Sequence, residues 1–273
     1  MKNKTSVLIT GCSSGIGQET AIYLNKQGYD VHSTARYQKD VLSLSKQGLK
    51  AYKLDVTKKE TIKECLKQIL KQTNGKIDVL FNNAGYGQMG AMEDISTNVL
   101  KKQFETNVFG LFEMTNEVLK IMLQAGHGKI IQHSSVLGLV SLKYRGAYNA
   151  SKYAVEGLSD TLRLELKDTN IYISLLNTGP VTSSFRENAI KSLKKNVNIE
   201  ASRFKDRYIK SINATKSDVP FNLEAIDVAK VVEKIIKTDK PNPRYYITKA
   251  TYIFGFFKRV LSTSLLDKIL AKV

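Results

Sequence analysis

Short apolar runs alternate along this chain with longer stretches in which apolar residues recur every three or four positions. Residues 6–10 form the first run, which is broken by Gly11, Gly15 and Gly17. Ala21, Ile22 and Leu24 then carry a helical pattern to Gly28, and residues 30–35 form a second run. The theme repeats. Residues 51–54 lead to Asp55 and Val56, and a lysine-rich amphipathic stretch carries Ile62, Cys65, Leu66, Ile69 and Leu70. Residues 77–81 then lead into Asn82, Asn83, Ala84 and Gly85. Beyond them lie a helical stretch over 99–125, a run over 128–135, a helix over 148–166 and a run over 171–177, then a helix over 224–237 and a last run over 244–248. Runs this short, separated by helices of this length, predict parallel strands whose crossovers cover both faces of one sheet. The expected fold is α/β. It is a single doubly wound, Rossmann-type domain over residues 1–273, with a seven-stranded parallel sheet, helices on both faces and its ligand where the strand order reverses.

Two segments break the alternation. Residues 185–220 are polar and lysine-rich with periodic apolar positions (Ile190, Leu193, Val197, Phe204, Tyr208, Ile212), which predicts one or two helices lying over a substrate cleft as a lid. Residues 250–273 form a helical tail rich in aromatic and aliphatic residues and flanked by lysines. Such a tail packs over its own pocket or a partner subunit more often than on an anionic membrane, so peripheral membrane contact is the less favoured expectation.

The glycines at 11, 15 and 17 sit between a strand and a helix, where a backbone without side chains approaches a pyrophosphate resting on the helix N-terminus. The spacing differs from the common Gly-x-Gly-x-x-Gly fingerprint, and a tight turn alone would also account for it. The end of the second strand reads Ala35-Arg36, without the acid that accepts from a ribose 2′-hydroxyl; Asp40 falls in the next helix start. Arginine there suits a 2′-phosphate, so NADP(H) is favoured over NAD(H). Asp55, at a strand's carboxyl end, is placed to meet an adenine amine or to cap a helix.

Tyr148 and Lys152 stand four residues apart in a helical stretch and so share a face. A nearby ammonium favours a phenolate and brings tyrosine closer to acid–base work at neutral pH. Tyr245 and Lys249 repeat the spacing, but on a strand, where it leaves the side chains apart. Of the chain's three histidines, His133 invites a metal or triad reading, yet no carboxylate or second histidine shares a ligand spacing with it. No metal is expected.

Taken together, Thr10-Gly11, Gly15-Ile16-Gly17, Asp55-Val56, Asn82-Asn83-Ala84-Gly85, Asn107, Ser135 and Tyr148 with Lys152 stand in an order and spacing that resembles the short-chain dehydrogenase/reductase family. The likeness is close over about residues 5–185. Within the family the chain looks most like the 17β-hydroxysteroid and retinol dehydrogenase branch. The resemblance implies that Asn107, Ser135, Tyr148 and Lys152 are catalytic, and it selects Ser135 over the neighbouring Ser134. It implies that Gly11, Ser13, Ser14, Gly15, Ile16, Arg36, Asp55, Val56, Asn83, Ala84, Gly85, Tyr148, Lys152, Val181 and Ser183 line the cofactor. It gives Asn107, otherwise an ordinary amide at a kink, the task of holding a water that links Lys152 to solvent. One departure stands out. Thr178 replaces the proline that the family usually places before Gly179, and Ser183 takes the last hydroxyl position.

Composition changes this picture little. The 273 residues carry a formal charge of +17, and residues 184–273 hold 19 Lys/Arg against 9 Asp/Glu. Solvated helix faces explain most of the lysines, and no aromatic-interleaved basic motif points to nucleic acid. Two widely spaced cysteines, Cys12 and Cys65, predict free thiols in a reducing compartment. With no signal-like core and no apolar stretch approaching about 20 residues, a cytoplasmic protein is expected. The expected partners are a lipophilic small-molecule substrate and copies of the chain itself, as a dimer or tetramer. The alternatives are a 3-oxoacyl-carrier-protein reductase, which the basic charge would suit, and a nucleotide sensor without turnover.

Overall fold

Side chains along a strand point alternately to opposite faces, and this alternation sorts the apolar residues into two layers. The computed structural model describes residues 4–214 and 222–273. In chain order it contains β1 (Ser6–Ile9), α1 (Gly15–Lys26), β2 (Asp30–Ala35), α2 (Gln38–Lys46), β3 (Lys50–Lys53), α3 (Lys59–Gln72) and β4 (Val79–Asn82). Then follow α4 (Thr97–Phe104), α5 (Leu111–Ala125), β5 (Gly128–Ser135), α6 (Gly146–Glu165), β6 (Ile171–Thr178), β7 (Val181–Thr182), α7 (Phe185–Asn196) and α8 (Lys205–Asn213). The chain ends with β8 (Leu223–Glu224), α9 (Ala225–Lys237), β9 (Arg244–Tyr246), α10 (Lys249–Val260) and α11 (Thr263–Leu270).

Seven strands form one sheet in the order β3-β2-β1-β4-β5-β6-β9, every neighbouring pair parallel. Val7, Ile9, Val79, Phe81 and Ile131 face one way and pack with Ala21 and Leu24 of α1, Val41 and Leu44 of α2, and Val228, Val232 and Ile235 of α9. Leu8, Leu80 and Ile130 face the other way, onto Ile62 and Ile69 of α3 and Met114, Val118 and Met122 of α5. The strand order reverses between β1 and β4, so the loops after these strands diverge and leave a crevice at their carboxyl ends. Both cysteines are free and buried, one in each layer.

The helix expected over 99–125 is two helices. A π-helical turn, Glu105–Gly110, separates α4 from α5. The widened turn brings Gly110 so close to the loop after β3 that a Cβ there would lie 2.8 Å from Val56 Cγ2 and 2.9 Å from its carbonyl oxygen. The last strand ends at Tyr246, shorter than expected, though the Ile247 N–H still donates to the Asn177 carbonyl at 3.1 Å. Tyr245 lies in that strand while Lys249 opens α10, so this second Tyr–Lys spacing makes no helical pair. The parallel pair β7 and β8 is two residues long in each strand, too short to leave a periodic trace.

The segment expected to form a lid is anchored. Leu193, Val197 and Tyr208 are buried with Met89 and Ala91 of the segment after β4, with Ile190, Phe204 and Ile212 packed around them. The Tyr208 hydroxyl donates to Asp94 Oδ2 at 2.5 Å and accepts the Ala91 N–H at 2.7 Å. The part of the expected lid over 215–220 lies outside the described residues.

Candidate active site

The turn after β1 is built for close approach. Gly11 and Gly15 have φ of +73° and +61°, the left-handed region that disfavours side chains. A Cβ on Gly11 would lie 2.8 Å from Ala84 Cα, and one on Gly17 would lie 2.4 Å from both Asn83 Nδ2 and the Gly11 carbonyl oxygen. Thr10 Oγ1 accepts the N–H groups of Asn83 and Ala84, each at 3.0 Å, while Asn83 Nδ2 donates to the carbonyls of Thr10 and Gly11 at 3.0 and 2.9 Å. These bonds clamp the β1 and β4 loops together across the reversal point. Ser14 stands at the N-cap of α1 without capping it through its side chain, and the first turn carries no acid. The orphan N–H groups and positive end of the helix therefore face the loop, which fits a phosphate group.

The other residues expected at the cofactor lie along the same edge of the sheet. Arg36 follows the end of β2, its guanidinium 4.6 Å from the Tyr37 ring centroid, with Asp40 in the first turn of α2. Asp55 does not cap α3. Its Oδ1 accepts from Thr57 N and Thr57 Oγ1 at 3.0 and 2.7 Å, a local turn that holds Val56 against Gly110. Gly85 faces Asn107, whose Oδ1 would lie 3.2 Å from a Cβ there. Ser13 and Ser14 are exposed at the rim with Ile16 beside them, and Ser14 Oγ lies 2.7 Å from Ser184 Oγ. Val181 and Ser183 follow β6, and Ser183 approaches Gly15 from the opposite side of the crevice.

The four residues expected to be catalytic converge at the carboxyl end of β5. The two adjacent serines part as alternation requires: Ser134 Oγ donates to Glu156, whereas Ser135 lies beside the Tyr148 phenol and its Oγ accepts the Leu137 N–H at 3.1 Å. Lys152 Nζ lies 5.5 Å from the Tyr148 ring centroid, one helical turn on, and donates to the His133 carbonyl at 2.5 Å. Burial pushes the Tyr148 phenol up to about 12, with the nearby Ser135 hydroxyl and the Arg145 charge pulling against it. Burial also brings Lys152 down to about 8, opposed by Glu156. Within the protein alone, the cation that opposes burial is Arg145 rather than the Lys152 expected to lower the phenol. Asn107 sits inside the π-helical turn. Its Oδ1 accepts Tyr86 N at 3.1 Å, and its Nδ2 donates to the Tyr86 carbonyl and to Ser151 Oγ at 3.0 and 3.2 Å. These contacts tie the loop after β4 to α6 and so fix the position of Tyr148.

His133, weighed in the sequence only as a metal or triad residue, has a structural part that sequence reasoning missed. Its Nδ1 lies 3.0 Å from Asn83 Oδ1 and its Nε2 3.1 Å from Thr178 Oγ1, while its carbonyl receives Lys152. Burial, reinforced by the Lys152 charge, holds its ring down at about 3, so it is a neutral strut between the loops after β4 and β6. The signal was present: Thr178, where the family has proline, supplies the hydroxyl that His133 needs. Among the described residues no group of three or more His, Cys, Asp or Glu side chains is arranged to hold a metal.

Two further features crowd Tyr148. Phe185, the first residue of α7, sets its ring centroid 5.3 Å from that of Tyr148 and so close to Gly87 that a Cβ there would lie 2.7 Å from Phe185 Cζ. Arg145, three residues before Tyr148, is lowered to about 10 by burial and then by the charge of Arg186. Tyr148 is therefore flanked by an aromatic ring and a cation.

The short chain dehydrogenase family model matches residues 5–194. The chain is 35% identical to the uncharacterized oxidoreductase YbbO of Escherichia coli K12 over 97% of its own length and 93% of that protein's. It is also 35% identical to retinol dehydrogenase 8 of Bos taurus, over 86% and 79% of the two chains. Among solved structures, the closed form of a serine dehydrogenase complexed with NADP+ superposes with a TM-score of 0.77 at 26% identity, over 90% and 96% of the two chains. A glycine turn clamped to an Asn-Asn-Ala-Gly loop, a serine–tyrosine–lysine cluster beside it and this breadth of likeness have one meaning: the chain is an oxidoreductase belonging to the short-chain dehydrogenase family.

Proposed function

We propose that the protein interconverts a carbonyl and an alcohol on a lipophilic small molecule, steroid-, retinoid- or acyl-like, with NADP(H). The observation that carries the reading is the seating of Tyr148 beside Ser135, with Lys152 one turn away, at the edge of a crevice whose opposite wall is the glycine turn. The dinucleotide supplies or accepts a hydride at its nicotinamide ring. Gly11, Ser13, Ser14, Gly15 and Ile16 would hold its phosphates, and Arg36 its 2′-phosphate. Asp55, Val56, Asn83, Ala84 and Gly85 would line the adenosine, Lys152 and Tyr148 the nicotinamide ribose, and Val181 and Ser183 the carboxamide. During reduction Tyr148 gives its proton to the carbonyl oxygen while Ser135 donates a hydrogen bond to the same oxygen as charge develops there. Lys152 holds positive charge beside the phenolate that remains. Asn107 keeps α6, and with it Tyr148, in register against the loop after β4. The aromatic lid residue Phe185 and the apolar residues around Tyr148 (Val136, Leu137, Phe254, Phe257) favour a lipophilic substrate over a sugar.

Tyr148→Phe tests the reading. NADPH oxidation with a panel of hydrophobic ketones and aldehydes is expected to fall by about 10²–10⁴-fold, while NADPH binding, followed by fluorescence, persists. Full turnover in the variant would remove Tyr148 from the chemistry. Tight NADPH binding by the wild type without turnover on any carbonyl would favour the sensor.

A second reading is reduction of an acyl chain joined to a phosphate-bearing carrier. The cationic Arg145 near Tyr148 favours it, because a buried guanidinium suits a carboxylate or phosphate. Activity restricted to carrier-linked 3-oxoacyl chains would select this alternative.

A further inference from the structure

Helix α10 has two working faces. Its inner side sends Phe254 and Phe257 into the cluster that contains Tyr148, Val136, Leu137 and Leu266, so the helix is part of the roof over the candidate site. Its outer side leaves Tyr252 and Phe256 each 61% exposed and Val260 56% exposed, with Ile253 beside them. These positions fall at i, i+1, i+4 and i+8, a single stripe along the helix. Lys249 begins the stripe and Arg259 ends it, and the helix carries no acid at all.

A cavity of about 370 Å³ opens beside this stripe, lined by Tyr252 and Arg259 of α10, Lys234 of α9, and Asn242, Arg244 and Tyr246 at the exposed edge of the sheet. The lining contains no carboxylate. Arg244 is neutralised by Glu156 and Asp160, but Lys234 and Arg259 have no ion-pair partner among the described residues. The pairing of Tyr246 with Tyr252, ring centroids 5.5 Å apart, shapes the wall, and Gly255 makes room for the Tyr246 ring.

We propose that this face of α10, with its basic cavity, docks on an anionic lipid bilayer. Tyr252, Ile253, Phe256 and Val260 enter the boundary between headgroups and acyl chains, and Arg259, Lys234 and Lys249 meet lipid phosphates. The charge distribution selects this occupant. A two-fold contact between copies would set the same patch against itself, cation against cation with no acid to pair. A bilayer offers both the negative surface and the apolar layer that the stripe lacks. The length of α10 is no obstacle, because the helix lies on the surface rather than crossing it; among the described residues no helix is long and apolar enough to span. Docking in this pose would put the roof of the candidate site against lipid, a link to substrate that rests on the lipophilic reading above, whereas the docking itself does not.

The test uses the full chain without substrate or dinucleotide, so its outcome is separate from that of the catalytic assay. Sedimentation with phosphatidylcholine vesicles containing phosphatidylglycerol is expected to carry the protein down, and pure phosphatidylcholine is not. Lys234→Glu and Arg259→Glu should each lower the partition at least about fivefold, and added salt should do the same. Phe256→Ser should lower it about tenfold with an unchanged melting temperature, because the side chain is exposed. Three results would overturn the proposal. One is equal or absent binding to both vesicle types. Another is binding lost on charge reversal but indifferent to Phe256→Ser, which would mark an acidic protein surface. The third is a dimer in solution that Phe256→Ser dissociates, which would mark a second copy as the occupant.

Discussion

A histidine with both ring nitrogens occupied, half-buried and beside an ammonium, is held neutral by its surroundings. His133 is in this position, between Asn83 and Thr178 with Lys152 at its carbonyl. Its folded value of about 3 lies below the ordinary 6.5. Between those values the unfolded chain therefore binds a proton that the folded chain does not, and stability falls as pH falls through the interval. The loss is about 1.4 kcal/mol per pH unit while the difference lasts. Chemical denaturation between about pH 6 and about pH 4 should show a slope steeper by about that amount in the wild type than in His133→Asn; equal slopes would mean that the ring titrates freely when folded. The sequence displayed the histidine but not its partners. Thr178 is 45 residues away in the chain, and only the pairing of β5 with β6 brings the two together.

At the scale of one element, the π-helical turn between α4 and α5 shows how a helix-forming sequence yields to its neighbours. Glycine inside a regular helix is less favourable than alanine by about 1 kcal/mol, so in an unbroken helix Gly110→Ala would stabilise. Here the added methyl meets Val56 at 2.8 Å and its carbonyl at 2.9 Å, and overpacking of that kind costs about 1–3 kcal/mol. Gly110→Ala should therefore lower the urea midpoint and weaken NADPH binding through Val56; a raised midpoint would show that the widened turn is dispensable. Asparagine at 107 and glycine at 110 hinted at a kink. Their meaning depended on Tyr86, Ser151 and Val56, none of which is a near neighbour in the chain.

Across the whole molecule, one polar network ties the sheet's exposed edge to the candidate site. Arg244 of β9 bonds Glu156 Oε2 at 3.1 Å through Nε and Asp160 Oδ2 at 2.5 Å, and Glu156 also receives Asn177 Nδ2 at 2.6 Å and the Ser134 hydroxyl. The network joins β5, β6, β9 and α6, the helix that carries Tyr148 and Lys152. Arg244→Met removes the cation and leaves the buried Glu156 charge uncompensated, at a cost of about 3 kcal/mol. The melting temperature should drop by several degrees, and Glu156→Gln in the same chain should recover part of the loss. A double variant no more stable than Arg244→Met would show that the two groups act independently.

The order of strands and helices, the glycine turn and the Tyr148–Lys152 pair were legible because each is local: periodicity, backbone freedom and a one-turn spacing all act over a few residues. Alternation, equally local, separated Ser134 from Ser135, and the family resemblance chose between them. What the chain could not declare alone was which distant groups would meet. Tertiary packing decided that His133 braces two loops, that burial sets the Tyr148 and Lys152 acidities, and that Phe185 closes on the phenol. It also decided that α10 roofs the candidate site with one face and leaves the other, apolar and cationic, outside. Burial and long-range pairing arise from the sum of many weak contacts across the sheet, and no single stretch of sequence contains that sum.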